Sequence, residues 1–178
     1  MRSDEWSHGF LVWNLSLGSC LESPENTISP EASMLDQLQN EYDIVFVVAG
    51  TNKTQEDSQT QPKCIWAPAD SSNSLVVNAT SILKEPASYT REGPVLNFFR
   101  KPDISCFGGD ATEQMAAWSP QGVNLTTGTS FAAPWITRKM AYLIYVMHFS
   151  RETAKAMLID AASGWEKSLL TTSRLDMA

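Results

Sequence analysis

The sequence predicts an α/β protein in which helices cover both faces of a mostly parallel sheet, giving three layers. Two short, continuous apolar runs, residues 10–18 and 44–49, are typical of parallel strands that are buried on both faces. A helical pattern at residues 29–42 lies between them, which predicts a strand–helix–strand unit with a right-handed crossover. A long apolar helical run at residues 135–149 predicts a helix that runs through the middle of the domain.

The first elements carry clear start and stop signals. The run at 10–18 ends at Gly18, which predicts a buried strand that leads into a loop. Ser29 as N-cap and Pro30 at the first helical position predict a helix start, and Asp43 is predicted to end that helix. The apolar face of this helix is expected to consist of Met34, Leu35, Leu38 and Tyr42.

The later elements follow from the same signals. Residues 73–79 predict another buried strand, and residues 110–124 predict an irregular surface loop in which Trp118 packs rather than lines a cleft. The helix at 135–149 is expected to be buried nearly all round. A second helix, capped at residues 150–152, is expected to run through Ala161 and to be ended by Ser163-Gly164. The apolar face expected for that second helix is Ala154, Met157, Leu158 and Ala161.

Composition excludes several kinds of function. Hydrophobic residues are 43% and charged residues 19% of the 178, as in an ordinary soluble domain. The net charge of -7 argues against binding to nucleic acid or to an anionic membrane surface. No apolar run is long enough to predict a membrane span, and no apolar signal core opens the sequence. A cytoplasmic location is therefore expected.

Cysteine and histidine give no sign of a metal or cofactor site. Cys20, Cys64 and Cys106 are far apart, and none forms a C-x-x-C pair, which favours reduced thiols over a disulfide framework. A zinc site would also need suitably spaced histidines, and His8 and His148 are not so spaced. We expect neither a metal ion nor a cofactor.

The stretch Gly128-Thr129-Ser130-Phe131-Ala132-Ala133-Pro134 contains the candidate nucleophile. Ser130 stands at the start of the long apolar helix, where the first backbone N–H groups have no acceptor within the helix. The helix dipole adds partial positive charge there, so an oxyanion that forms beside Ser130 would be stabilised. The alternative is that Ser130 is simply the N-cap of a core helix.

This stretch resembles G-T-S-x-A-x-P, the nucleophile motif of the subtilisin-like serine peptidases, the subtilase family. The resemblance implies that Ser130 is the nucleophile. It also implies that Asn52, which follows Ala49-Gly50-Thr51, donates to the oxyanion, although Thr51 stands where the family usually has glycine. The sequence N-L-S-L-G at 14–18 resembles a family segment that pairs with the substrate backbone. The residues thereby implied in substrate binding are Leu15, Ser16, Leu17, Gly18, Ala49 and Gly50.

The family's other two catalytic residues are not identifiable. The family carries an aspartate in D-[ST]-G and a histidine in H-G-T-x-V-A-G, both upstream of the serine, and neither block occurs here. Asp4 and His8 are only four residues apart, which leaves no room for the strand and helix that normally separate the pair. His148 would lie about 27 Å along the helix from Ser130, at 1.5 Å of rise per residue, which is too far to accept its proton.

The resemblance therefore covers only the C-terminal half of a subtilisin-like catalytic domain. We expect residues 1–178 to form a single partial peptidase domain, with a core at about 10–163 and a polar tail at 164–178. No internal repeat, low-complexity segment or linker divides the chain.

Two functions remain open at this point. The first is a serine endopeptidase that hydrolyses a polypeptide substrate through an acyl-enzyme on Ser130. Its aspartate and histidine would come from an upstream segment or a separate chain, so the isolated chain would be inactive. The alternative is a non-catalytic peptide-binding or scaffold domain that retains the half-fold.

Overall fold

The computed structural model describes residues 9–19, 26–53 and 64–163. Eight strands occur in this part of the chain: β1 (Val12–Leu15), β2 (Val45–Ala49), β3 (Leu75–Thr80), β4 (Gly93–Val95), β5 (Phe99–Lys101), β6 (Ile104–Phe107), β7 (Met115–Ser119) and β8 (Gly122–Thr126). The helices are α1 (Pro30–Tyr42), α2 (Thr129–Ala141) and α3 (Arg151–Ser163), and a π-helical segment, Tyr142–Val146, directly follows α2.

The main sheet has four parallel strands in the order β1-β2-β3-β6. Alternate residues of β2 point to opposite faces, as the pleat requires. Val45 and Val47 pack with α2 and α3 on one face, whereas Phe46 and Val48 pack with α1 and the segment at 65–69 on the other. The predicted α/β fold, with a mostly parallel sheet between helical layers, is confirmed.

Helix α1 begins and ends at the predicted residues. The Ser29 hydroxyl accepts from the Ala32 N–H at 3.2 Å, Pro30 occupies the first helical position, and Asp43 ends the helix with φ +55°. The buried Asp70 carboxylate accepts from the Ser29 N–H at 2.6 Å and from its hydroxyl at 2.8 Å. The start of α1 is thereby fixed to the segment that follows residue 65.

The face of α1 that packs on the sheet differs from the predicted one. Met34 and Tyr42, both predicted to be buried, are 58% and 40% exposed, whereas the polar Gln39 is buried. The Gln39 side chain donates to the Ser74 hydroxyl at 3.1 Å and accepts from the Phe46 N–H at 3.1 Å. Because those partners satisfy the amide, a polar residue can occupy the interior position.

Strand β1 and helix α2 are more exposed than predicted. The described residues place β1 at an edge of the sheet, with Trp13 and Asn14 exposed. The long apolar run is not buried all round: Trp135 and Tyr142 are 49% and 55% exposed, and only the face that includes Ile136 is buried. No described element lies beyond β1 to cover this side of the molecule.

Residues 115–126 form a hairpin rather than the predicted irregular loop. Strands β7 and β8 pair antiparallel, from Met115 opposite Thr126 to Ser119 opposite Gly122. The apolar side chains of β8 are exposed rather than packed on the core, with Val123 and Leu125 57% and 66% exposed. Trp118 is 85% exposed, and the prediction that it packs is wrong for the described part of the chain.

Helix α3 begins at Arg151, next to the predicted cap, and buries a slightly different face. Ala154 is buried and Leu158 is partly buried, as predicted, whereas Met157 is 44% exposed and Ala161 is also exposed. Ile159 and Ala162 pack against the core in their place.

Several predictions concern residues outside the described ranges. These residues are Asp4, His8, Cys20 and the tail at 164–178. Cys106 is a free cysteine. Among the described residues, no helix could span a bilayer, and no cluster of three or more histidine, cysteine or acidic side chains could hold a metal ion.

Candidate active site

The candidate site lies where β1 and β2 end and α2 begins. The carboxyl ends of parallel strands form the edge at which open α/β sheets bind ligands. A cleft of about 210 Å³ opens there. The residues that line it are Leu17, Gly18, Ser19, Ala49, Thr51, Asn52, Trp66, Thr129 and Ser130.

Glycine is required immediately before the nucleophile-bearing helix. Gly128 is the N-cap of α2 and has φ +151° and ψ +153°, a conformation that is essentially restricted to glycine. A Cβ atom there would lie 3.3 Å from the Asn52 amide nitrogen and 3.4 Å from the Phe131 ring. Ser130 is therefore the second residue of α2, and the alternative that it is the N-cap is wrong.

Pro134 explains an unusual contact of the Ser130 backbone. A helical carbonyl normally accepts from the N–H four residues later, but proline has no N–H, so the Ser130 carbonyl loses this donor. The Ser16 hydroxyl donates to that carbonyl instead, at 3.1 Å. The Asn14 amide in turn donates to the Ser16 hydroxyl at 2.9 Å. The loop after β1 is thus bonded directly to the residue that carries the candidate nucleophile.

The fold brings Asn52 to the start of α2, although 77 residues separate it from Thr129. The Asn52 Oδ1 atom accepts from the Thr129 N–H at 3.1 Å, which fixes the amide plane. Its Nδ2 atom is the neighbour nearest to the Cβ position of Gly128. Two donors, Asn52 Nδ2 and the Ser130 N–H, are therefore present at one end of the cleft, since first-turn amides have no acceptor within the helix.

Three of the predicted substrate-binding residues do not line the cleft: the Ser16 hydroxyl bonds to the Ser130 carbonyl, and Leu15 and Gly50 pack elsewhere. Leu15 packs against the core cluster that contains Val48. The Gly50 N–H donates to the Val77 carbonyl at 2.8 Å, and a Cβ on Gly50 would lie 2.4 Å from the Asn78 side chain. Gly50 is therefore required for close packing within the sheet, and direct contact of any of these three residues with a substrate stays a prediction.

Arg91 supports the cleft and was missed by the sequence analysis. Its side chain is fully buried, and its guanidinium stacks on the Trp66 ring at 3.5 Å from the ring centroid. The Arg91 Nε–H also donates to the Asn52 carbonyl at 3.2 Å. A charged residue in the polar sequence T-R-E-G-P gives no sign of burial, because the packing that encloses it comes from distant segments.

Tyr89 forms hydrogen bonds with the turn at Gly108 and Gly109, to which the Gly128 N–H is also bonded. Its hydroxyl donates to the carbonyls of Gly108 and Gly109 at 3.0 and 2.7 Å, and the Gly108 carbonyl also accepts from the Gly128 N–H at 3.0 Å. Burial raises the pKa of Tyr89 to about 12, so this hydroxyl remains a donor at neutral pH. Burial likewise raises the pKa of the Cys106 thiol, which disfavours the reactive thiolate form.

The sequence model of the subtilase family matches residues 2–176. The chain belongs to the subtilase family. No curated protein sequence matches it.

Several solved protease structures share the fold of this subtilase. The epidermin leader peptide processing serine protease of Staphylococcus aureus is 19% identical with a TM-score of 0.64, and the match covers 83% of this chain and 44% of that protein. The patellamide maturation protease PatA is 20% identical with a TM-score of 0.60, covering 83% and 50%. The prenylagaramide maturation protease PagA is 21% identical with a TM-score of 0.59, covering 78% and 44%. The subtilase chain thus spans about half the length of the structures it matches.

The described part of this subtilase contains a candidate nucleophile and oxyanion donors but no base beside them. No histidine or carboxylate is among the residues that line the cleft. His148 is exposed just beyond the π-helical segment, 18 residues after Ser130, so it lies far from the start of α2. The positions of Asp4 and His8 lie outside the described ranges.

Proposed function

We propose that the chain is the nucleophile-bearing part of a subtilisin-like serine endopeptidase. The Ser130 hydroxyl attacks a peptide carbonyl of a polypeptide substrate, and the amine leaves as Ser130 becomes acylated. Water then hydrolyses the acyl-enzyme. The observation that carries the proposal is the bond from the Thr129 N–H to Asn52 Oδ1, because it holds the Asn52 amide beside Ser130.

Oxyanion stabilisation follows from the same geometry. Negative charge on the substrate oxygen receives hydrogen bonds from Asn52 Nδ2 and the Ser130 N–H, and the dipole of α2 adds to their effect. The substrate backbone lies along residues 15–18, beyond the end of β1, where an extended peptide can pair with exposed backbone groups. Ala49 forms part of the opposite wall.

The reaction also needs a general base and a residue that orients it. We infer that a histidine and an aspartate come from a further segment or a separate chain that packs against the β1 side of the sheet. Two observations support this inference. The chain spans 44 to 50% of the proteases it matches, and no described element covers the outer edge of β1.

Fluorophosphonate labelling tests the nucleophile. We expect the 178-residue chain to be labelled slowly, and soluble imidazole to accelerate labelling about tenfold or more, because a general base usually contributes 100-fold or more when it is positioned. Ser130→Ala should abolish the label, whereas the matched Ser88→Ala, a change of an exposed serine, should leave it unchanged. Labelling that survives in Ser130→Ala, or its absence from folded protein in imidazole, would contradict the proposal.

The uncovered edge of β1 leads to a prediction about association. Phe10 and Trp13 are 72% and 48% exposed beside it, and exposed strand edges flanked by apolar side chains promote pairing between chains. We expect light scattering to give a mass above the 19.7 kDa of one chain. Phe10→Ser with Trp13→Ser should lower that mass, whereas Trp118→Ser, which changes a still more exposed indole on the β7–β8 hairpin, should not. A monodisperse monomer would refute the prediction.

A further inference from the structure

Thr51 closes the inner part of the cleft. The residue is only 7% exposed, and its methyl carbon Cγ2 faces Gly18 on the opposite wall. A Cβ atom on Gly18 would lie 2.8 Å from that methyl carbon, so the two walls are already in contact at this level. Nothing larger than hydrogen fits on Gly18, and no side chain can pass between Gly18 and Thr51 without moving one of them.

The backbone of Thr51 is in a conformation that threonine rarely adopts. Its φ is +63°, in the left-handed region, which is a clear outlier for a β-branched residue. Two hydrogen bonds hold it there: the hydroxyl donates to the Gly50 carbonyl at 2.7 Å and accepts from the Trp66 N–H at 3.4 Å. Glycine would adopt this conformation without strain, so the presence of a threonine side chain here points to a function for that side chain.

The Thr51 side chain lies in the cleft at the position where, in the proposed function, a substrate side chain enters. A peptide whose carbonyl oxygen is held by Asn52 Nδ2 and the Ser130 N–H has the α-carbon of the same residue at the mouth of the cleft. In the proposed function, the side chain on that α-carbon, on the acyl side of the scissile bond, enters the cleft between residues 17–19 and the wall formed by Ala49, Thr51 and Asn52. It meets the Thr51 methyl group and, behind it, the Trp66 segment.

We propose that Thr51 is a specificity-determining residue that restricts the acyl-side residue of the substrate to glycine or alanine. This inference rests on the proposed function, since it assumes that Ser130 attacks the carbonyl of that residue. It adds a substrate class: polypeptides cleaved after a small side chain. Hydrophobic pockets discriminate strongly against side chains that they cannot hold, because an oversized group displaces the packed walls.

Peptide binding tests the proposal without requiring catalysis. Four peptides, acetyl-Ala-Ala-X-Gly-amide with X as Gly, Ala, Leu or Phe, are titrated into the full chain carrying Ser130→Ala, and dissociation constants are measured by NMR. We expect the Gly and Ala peptides to bind about tenfold or more tightly than the Phe peptide. In Thr51→Gly the preference should fall to about threefold or less, because the walls then separate at Gly18.

Thr51→Ser isolates the methyl group, because serine keeps the hydroxyl that bonds to Gly50 and Trp66 and lacks only Cγ2. It should lose the preference almost as fully as Thr51→Gly, whereas Thr112→Ser, at an exposed position, should keep it. Equal binding of all four peptides by the parent chain, or an unchanged preference in both Thr51 variants, would overturn this inference alone. Failure of every peptide to bind any variant would overturn the proposed function and this inference with it.

Discussion

Replacing Asn52 by alanine is expected to slow the acylation of Ser130 about 100- to 1000-fold, the usual effect of removing one side-chain donor from an oxyanion site. The reason is geometric. The Thr129 N–H fixes Asn52 Oδ1 at 3.1 Å, so the Nδ2 donor is held in place before the substrate arrives. Its loss leaves only the Ser130 N–H to stabilise the developing charge. The rate of fluorophosphonate labelling in imidazole reports the effect, because the same donors stabilise the negative charge on the phosphonyl oxygen when Ser130 attacks phosphorus.

Two further variants separate this role from a structural one. Asn52→Asp keeps an oxygen that can accept from the Thr129 N–H but has no Nδ2 donor, so it should be slow as well. Asn124→Ala changes an exposed asparagine of β8 and should leave the rate unchanged. A loss of less than about threefold in Asn52→Ala, well below the range for an oxyanion donor, would limit Asn52 to supporting the loop.

Replacing Asp103 by alanine is expected to lower the free energy of unfolding by about 3–5 kcal/mol. The Lys101 side chain is only 2% exposed, and its ammonium lies 2.8 Å from Asp103 Oδ2 and 3.0 Å from the Ser74 carbonyl. Asp103 Oδ2 also accepts from the Val76 N–H at 2.7 Å. Removal of the carboxylate leaves a buried positive charge without its counter-ion and a strand N–H without its acceptor.

The double variant Lys101→Met with Asp103→Ala is the matched control for this prediction. It removes the charge together with its partner, so most of the lost stability should return. Urea denaturation measures all three proteins. If Asp103→Ala alone lowers the free energy of unfolding by less than about 1 kcal/mol, the pair behaves as a surface ion pair and the argument from burial fails.

Local chemistry explains which features could be predicted from the sequence. The limits of α1 depend on Ser29, Pro30 and Asp43, each of which acts on its own backbone, so neighbouring residues suffice to recognise them. The position of Ser130 at the start of α2 is likewise set within the G-T-S-x-A-x-P stretch, by the conformation of Gly128 at the N-cap.

Features that depend on distant segments could not be predicted. Gln39 can be buried because Ser74 and Phe46 form hydrogen bonds with its side-chain amide. Arg91 can be buried because its guanidinium stacks on Trp66 and its Nε–H donates to the Asn52 carbonyl. The sequence marks Thr51 as a departure from the family pattern. Only the fold shows that its methyl group faces Gly18 across the cleft.

The bond between Ser16 and the Ser130 carbonyl has a consequence for the entropy of the reaction. The bond links the segment that is proposed to bind the substrate backbone to Ser130, which is proposed to attack the substrate. The relative position of the two is therefore restrained. A peptide aligned along residues 15–18 would then meet the serine hydroxyl at a fixed distance and angle. Such alignment converts an encounter between separate groups into an effectively intramolecular step, with effective molarities on the order of 10⁵ M or more in well-oriented systems. In this chain that alignment is established when the protein folds, before any substrate arrives.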